Sequence, residues 1–213
     1  MASSWKKRLI AQSDLMVLHE KLKETNKKIV FTAGSWDLIH AGQCRYLEKA
    51  KAEGDILVVG VSSNEAIKRV KGPNKPILDE KIRAEMLTYL RCVDFVTILP
   101  EPSCTPSLGL LKPDVFITVK EDWTDEYKNS KEYKTVIKYG GEVKVVDRQS
   151  TAISTTKIVQ RAIGGHLGSV FKDFMELRKD PLKEKFKMPS VESRISVSVT
   201  ESDELDLKQR PPA

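Results

Sequence analysis

Cysteine is scarce in this sequence: three residues in 213 (Cys44, Cys92 and Cys104), an odd number with no Cys-x-x-Cys spacing. A disulfide scaffold and a zinc site built on cysteines alone are thereby excluded. Long apolar runs are missing too. The longest, residues 56–61, is interrupted only by Gly60, far short of the roughly 20 residues that cross a bilayer. The basic start, Met1-Ala2-Ser3-Ser4-Trp5-Lys6-Lys7-Arg8, leads into no sustained apolar stretch, so no secretory signal is expected. No block recurs at a fixed period, which argues against a solenoid. The expectation is a reduced, cytoplasmic protein with no membrane partner.

Apolar residues make up 40% of the chain, enough to bury the core of one domain with or without a tail. The formal net charge of +6 suits an anionic partner. The lysines are spread along the chain, with no zinc-finger spacing and no RNP-like aromatic run. A phosphate-rich small molecule is therefore expected rather than nucleic acid.

Five β-rich runs, at 28–33, 55–61, 93–99, 114–119 and 142–146, alternate with helical patterns. The second is almost unbroken in apolar residues, as a strand covered on both faces should be. Ser13 is placed as the cap of a helix carrying Leu15, Leu18 and Leu22 inward. Residues 42–53 put Cys44, Leu47 and Ala50 on one side. Residues 79–91, capped by Asp79, do the same with Ile82, Met86, Leu87 and Leu90. A further helix over 154–163 is expected to stop at Gly164-Gly165. The alternation predicts an α/β fold: a Rossmann-like, doubly wound, parallel five-stranded sheet with helices on both faces. The predicted organisation is an N-terminal helix in 1–26, a main domain over 27–168, and 169–213 as a short helix followed by a proline-containing disordered tail.

Ligands of such sheets sit at the carboxyl ends of the strands. The loop after the first strand reads Thr32-Ala33-Gly34-Ser35-Trp36-Asp37-Leu38-Ile39-His40-Ala41-Gly42-Gln43. Gly34 lets the backbone turn and approach a ligand. His40 precedes a helix start, whose unpaired amides and dipole favour a phosphate.

The segment 31–50 resembles the nucleotidyltransferase superfamily marked by a His-x-Gly-His signature, the cytidylyltransferase-like group. The resemblance continues in order through Lys68-Arg69-Val70-Lys71-Gly72-Pro73-Asn74-Lys75-Pro76, Arg83-Ala84-Glu85, Val93-Asp94 and Ile153-Ser154-Thr155-Thr156-Lys157-Ile158. It covers residues 27–163. Within the family, the enzymes acting on heptose 1-phosphate (adenylyl) and glycerol 3-phosphate (cytidylyl) look most similar. The resemblance implies transfer of a nucleoside monophosphate from ATP or CTP to a phosphorylated acceptor, with pyrophosphate released. It implies backbone contacts from Ala33, Gly34, Ser35 and Trp36 to the triphosphate, and a hydrogen bond from His40. Lys68 or Lys71 would approach from a basic loop, and Arg83 would serve phosphates. Ser154, Thr155 and Thr156 would cradle the terminal phosphates. Magnesium would accompany the triphosphate, with Asp37 nearby, and homo-oligomers are frequent in the family. Each role has a plainer alternative: Ser154 as an N-cap, the lysines as a solvated loop, Arg83 paired with Glu80 or Glu85, Trp36 as packing.

Two departures stand out. Gln43 occupies the place of the second signature histidine, and Lys120-Glu121-Asp122-Trp123 replaces a glycine-containing motif after the fourth strand. Gln43 is expected to retain binding while slowing transfer, because an amide carries no charge. Lys120 is the alternative cation, and Arg148 stands near the place of a family arginine. A nucleotide-binding relative with weak catalysis is the competing reading.

Overall fold

The computed structural model describes residues 4–120, 127–147 and 154–177. Glu121-Asp122-Trp123, Arg148 and the tail expected after Arg178 lie outside the described residues.

The five expected strands form one parallel sheet: β1 (Ile29–Gly34), β2 (Ile56–Ser62), β3 (Phe95–Leu99), β4 (Val115–Val119) and β5 (Glu142–Val146), in the order β3-β2-β1-β4-β5. β1 pairs with β2 from Ile29↔Ile56 to Gly34↔Val61, and with β4 at Val30↔Val115 and Phe31↔Phe116. The chain therefore leaves β1 in one direction across the sheet and returns beside it as β4. That reversal places the ends of β1 and β4 at the switch point where α/β sheets bind ligands. At the opposite, amino-terminal edge three aspartates tie neighbouring strands together. Asp55 accepts the Lys28 N–H at 2.9 Å, Asp94 the Leu57 N–H at 2.7 Å, and Asp114 the Ile29 N–H at 2.7 Å. Asp94 also pairs with Lys51 at 2.6 Å. The Val93-Asp94 motif is thus an edge clasp, far from the strands' carboxyl ends.

Alternate residues of β1 and β2 face opposite layers. Val30, Leu57, Val59 and Val61 pack with Leu47 and Ala50 of α2 (Ala41–Lys51) and Ala84 and Leu87 of α4 (Glu80–Thr88). Ile29, Phe31 and Val58 pack with Leu15 and Leu18 of α1 (Leu15–Glu24), Leu108 and Leu111 of α5 (Thr105–Leu111), and Val136 of α6 (Lys131–Lys138). Each large apolar side chain fully buried this way contributes about 1.5–3 kcal/mol. The two faces are what make the β2 run unbroken rather than alternating.

Several local expectations are corrected. Ser13 does not cap α1; its hydroxyl donates to Asp14 at 3.2 Å, and the N-cap residue is Asp14 without a side-chain bond. On α4, Ile82 and Met86 are exposed, while Arg83, Ala84, Leu87 and Thr88 are buried. The inward stripe is turned toward Arg83 because its guanidinium finds acceptors inside, which periodicity counted on apolar residues alone does not register. Lys68 and Lys71, expected on a basic loop after a helix, stand within that helix, α3 (Asn64–Lys71), and two further short helices, α5 and α6, went unmarked. Each is of seven or eight residues, and tertiary packing rather than intrinsic propensity sustains helices this short.

The chain divides into two units, the first Met1–Thr151 and the second Ala152–Ala213. The described part of the second is α7 (Thr155–Leu177), with Ser154 accepting the Lys157 N–H at 3.2 Å. The stop expected at Gly164-Gly165 does not occur. Neither glycine takes a positive φ, so each acts only as a weak helix former, costing about 1 kcal/mol against alanine. The helix runs through both and through Gly168.

Candidate active site

The loop from Gly34 to His40, between β1 and α2, carries two non-glycine residues with left-handed backbone, Trp36 (φ 52) and Leu38 (φ 50). Each such conformation costs about 1–3 kcal/mol and persists only where the surroundings over-determine it. Three anchors do so here. The Trp36 indole is 6% exposed, donates to the Gly60 carbonyl at 2.9 Å, and lies tilted against Tyr46. Gly34 makes room for it: a Cβ there would stand 3.1 Å from the indole ring. Asp37, also 6% exposed, accepts the Ile77 N–H at 2.9 Å and the Leu78 N–H at 3.0 Å, one on each oxygen. Arg83, 0% exposed, donates to the Ser35 carbonyl, to Leu78 O at 2.9 Å, and to Asn64 Oδ1 at 3.0 Å. Burial pulls the Arg83 pKa down, and Asp37, Glu80 and Asp79 oppose it. A guanidinium in that setting keeps its charge.

The loop ends on α2. His40 is the N-cap residue, with extended backbone (φ −134), and its N–H donates to Gln43 Oε1 at 3.2 Å. That is the return half of a capping box, a use for glutamine three residues into a helix. The first-turn amides of α2 and its dipole make this end electropositive. Lys71, from the last turn of α3, reaches over and donates to Ser35 Oγ at 2.9 Å. Lys68 on the same helix is instead paired with Glu65 at 3.1 Å. Lys120 is exposed immediately after β4.

Ala33, Gly34, Ser35, Trp36, Asp37, His40 and Gln43 thus share one loop and helix start, with Lys71 and Arg83 on it. Lys68 faces elsewhere. Trp36 presents backbone only, because its side chain is core. Ser154, Thr155 and Thr156 open α7 in the second unit. Sequence reasoning missed Asn64, which holds Arg83, and the pairing of Asp37 with two amides forty residues on. The local sequence carries no signal for either. Thr32 and Tyr46 were also missed: Tyr46 Oη lies 2.7 Å from Thr32 Oγ1 and donates to Ile117 O at 3.0 Å, linking α2 to β1 and β4.

A parallel sheet that reverses at an anchored loop, with that loop opening onto a helix N-terminus, defines a Rossmann-like α/β domain with its ligand side at that loop. The cytidylyltransferase-like family model matches residues 31–161, and the chain belongs to that family. Among curated relatives, the bifunctional protein HldE of Geobacter metallireducens is 41% identical over 148 residues, 68% of this chain and 29% of that protein. The HldE of Helicobacter pylori strain P12 is 49% identical over 100 residues, 46% of this chain and 22% of that protein. The chain therefore matches less than a third of the length of these relatives. A lipopolysaccharide core biosynthesis protein from Thermoplasma volcanium GSS1 is similar at 29% identity and a TM-score of 0.48, over 57% of this chain and 96% of that one. No helix among the described residues is long and apolar enough to cross a membrane.

Proposed function

We propose that this chain transfers a nucleoside monophosphate from ATP or CTP to a phosphorylated acceptor, a sugar or polyol phosphate, and releases pyrophosphate. The observation that carries the reading is the loop from Gly34 to His40: strained, anchored by Trp36, Asp37 and Arg83, and delivered onto the start of α2 at the sheet's switch point. The family and the relatives named bifunctional protein HldE support it.

In this reaction an acceptor phosphate oxygen attacks the α-phosphorus. One P–O bond forms, the bond to the β-phosphate bridge breaks, and pyrophosphate departs with the electron pair. An acceptor phosphate is already largely dianionic near neutral pH, its second pKa being about 6, so no general base is needed. The protein's part is positioning and charge stabilisation. Loop amides at Gly34 and Ser35, the α2 N-terminus and His40 face the triphosphate, and Lys71 supplies charge beside Ser35. Arg83 holds the loop in shape rather than meeting phosphate. Ser154, Thr155 and Thr156 are proposed for the terminal phosphates on the strength of the motif they match.

The described residues do not fit a resident metal. Both oxygens of Asp37 hold backbone amides, and among the described residues no group of three His, Cys, Asp or Glu side chains could hold an ion. Magnesium is proposed only as a companion of the triphosphate, held by phosphate oxygens.

The test is His40→Ala in a pyrophosphate-release assay run across ATP, CTP and a panel of phosphorylated acceptors. Loss of one preorganised donor is expected to lower turnover about a hundredfold, roughly 3 kcal/mol, at unchanged melting temperature. Unchanged turnover in the folded variant rejects His40 as catalytic. No triphosphate binding by calorimetry rejects the reading as a whole. A second reading, nucleotide binding with slow transfer, is favoured by one contact: Gln43 Oε1 is spent on the His40 N–H. Under it Gln43→His raises the rate about tenfold, roughly 1.4 kcal/mol. If Gln43→His loses activity and Lys120→Ala loses nearly all of it, Lys120 has taken over the cationic role.

A further inference from the structure

At the amino-terminal edge of the sheet lies a cleft of about 1070 Å³, lined by the end of α1, the turn into β1, the approach to β4, and the segments around α6 and β5. It is on the opposite side of the sheet from the loop after β1, separated by the length of the six-residue strand β1, about 20 Å. Five lysines line it: Lys23, Lys27, Lys28, Lys112 and Lys128. Elsewhere in the described structure Lys51, Lys68 and Lys144 each pair with a carboxylate. Among the described residues none of the five cleft lysines does. The two carboxylates that line the cleft are engaged in other bonds: Asp114 accepts the Ile29 N–H at 2.7 Å, and Glu142 lies 3.8 Å from Lys144. Five lysines against the two carboxylates of Asp114 and Glu142 leave the cleft with an excess of positive charge, and a concave wall focuses that field.

Its inner wall has a second feature. His19 and Tyr139 both line the cleft, and His19 Nδ1 and Tyr139 Oη are buried atoms without a hydrogen-bond partner. Buried polar groups are ordinarily satisfied, and exceptions call for an explanation. Burial, with Asp114 and Cys104 nearby, pushes the Tyr139 phenol well above its ordinary pKa, so the hydroxyl stays protonated and donates once the ring turns to uncover it. Cations together with a directed hydroxyl donor are the arrangement that takes a phosphoryl group: charge attracts it and the directed hydrogen bond seats it. Tyr127 and Tyr133, packed edge to face at 5.6 Å, supply an apolar wall for the rest of such a molecule.

We propose that this cleft is a second anion site, which binds a phosphorylated small molecule through its unpaired lysines, His19 and Tyr139. It is separate from the loop after β1 and independent of the reading of that loop. Its position beneath β1, β4 and β5 gives the bound molecule a hold on the strands that carry the loop.

The experiment is a titration of the full chain with inorganic pyrophosphate at about 150 mM salt, where the screening length is about 8 Å, followed by backbone amide NMR. Saturable shifts are expected at residues 26–29 and 140–143. Shifts at 34–43 report the other site, so failure of either proposal is read separately. Lys27→Glu with Lys112→Glu should weaken binding at the cleft at least about tenfold. Tyr139→Phe, which keeps the ring and removes the hydroxyl, should weaken it about fivefold. Absence of saturable shifts at 26–29 and 140–143 overturns the proposal. So does an affinity at the cleft that falls on charge reversal but is unmoved by Tyr139→Phe, since that result reduces the cleft to diffuse surface charge.

Discussion

Arg83 separates two accounts of the loop after β1: a residue that meets phosphate, or one that holds the loop in shape. Its guanidinium is fully buried and is shared among Ser35 O, Leu78 O and Asn64 Oδ1. Arg83→Met keeps much of the volume and strands all three acceptors beside Asp37. A stranded buried acceptor costs about 1–3 kcal/mol, and breaking a buried charge arrangement by removing one partner costs about 3–5 kcal/mol in all. For a chain of this length each kcal/mol is worth about 2–4 °C in melting temperature, so a fall of roughly 10 °C is expected. Arg83→Lys keeps the charge but not the fork, and should fall between Arg83→Met and the unaltered protein. Asn64→Ala removes one of the three acceptors and no candidate phosphate ligand. It should lower triphosphate affinity in the same direction as Arg83→Met, by a smaller factor. Thermal melts by circular dichroism and triphosphate titration calorimetry read both quantities. An Arg83→Met variant that melts within about 2 °C of the unaltered protein and has lost triphosphate binding would refute the clamp and make Arg83 a ligand contact.

Other consequences follow from the packing and the titrating groups. Asp79 accepts the Lys81 N–H and the Asn64 side-chain amide, which hold its carboxyl below the usual range. A depressed carboxylate adds stability above its unfolded pKa and loses it as pH falls through the folded value. Asp79→Asn keeps one acceptor for the Lys81 N–H but loses the bond from the Asn64 amide, so it should lower stability at neutral pH and flatten the acid limb below about pH 4; an unchanged acid limb counts against the assignment. Burial pushes the Cys104 thiol up to about 12, so at about pH 8 only ~10⁻⁴ of it is thiolate. Alkylation mapped by mass spectrometry should reach Cys44 and Cys92 first and Cys104 last, with the order lost in urea; early labelling of native Cys104 contradicts the packing of α5. Gly60→Ala would bring a Cβ to 2.8 Å from Leu99 and 2.9 Å from Phe31, and overpacking of this kind costs about 1–3 kcal/mol. The urea midpoint should fall, and a rise would show slack in that layer.

The inner strands were legible from the sequence because burial on both faces requires apolar runs, the edge strand β5 from its alternating valines after the Gly140-Gly141 turn, and the five runs lie within two residues of the observed strands. The order of those strands follows from the connections and only the folded sheet decides it. The loop from Gly34 to His40 was legible as a candidate site because its motif is local: a glycine turn, a histidine and a helix start within a dozen residues. What holds that loop was not. Asp37 pairs with amides at Ile77 and Leu78, and Arg83 reaches back forty-eight residues to Ser35. Such contacts leave no periodic trace along the chain. Arg83 and Lys71 carry the same formal charge in the sequence, yet burial makes Arg83 a clasp and exposure leaves Lys71 on the loop's outer side. Gln43 could be placed beside His40 by spacing alone, but only the extended backbone at His40 turns its amide oxygen onto the His40 N–H. The lysine cleft was invisible for the same reason: its members come from four separate stretches of chain, and only the sheet's amino-terminal edge gathers them. Composition and local pattern determine which segments are buried and which elements form, because both depend on neighbours a few residues away. Tertiary structure alone decides which charges are buried, paired or left unpaired, because that depends on groups the sequence holds far apart.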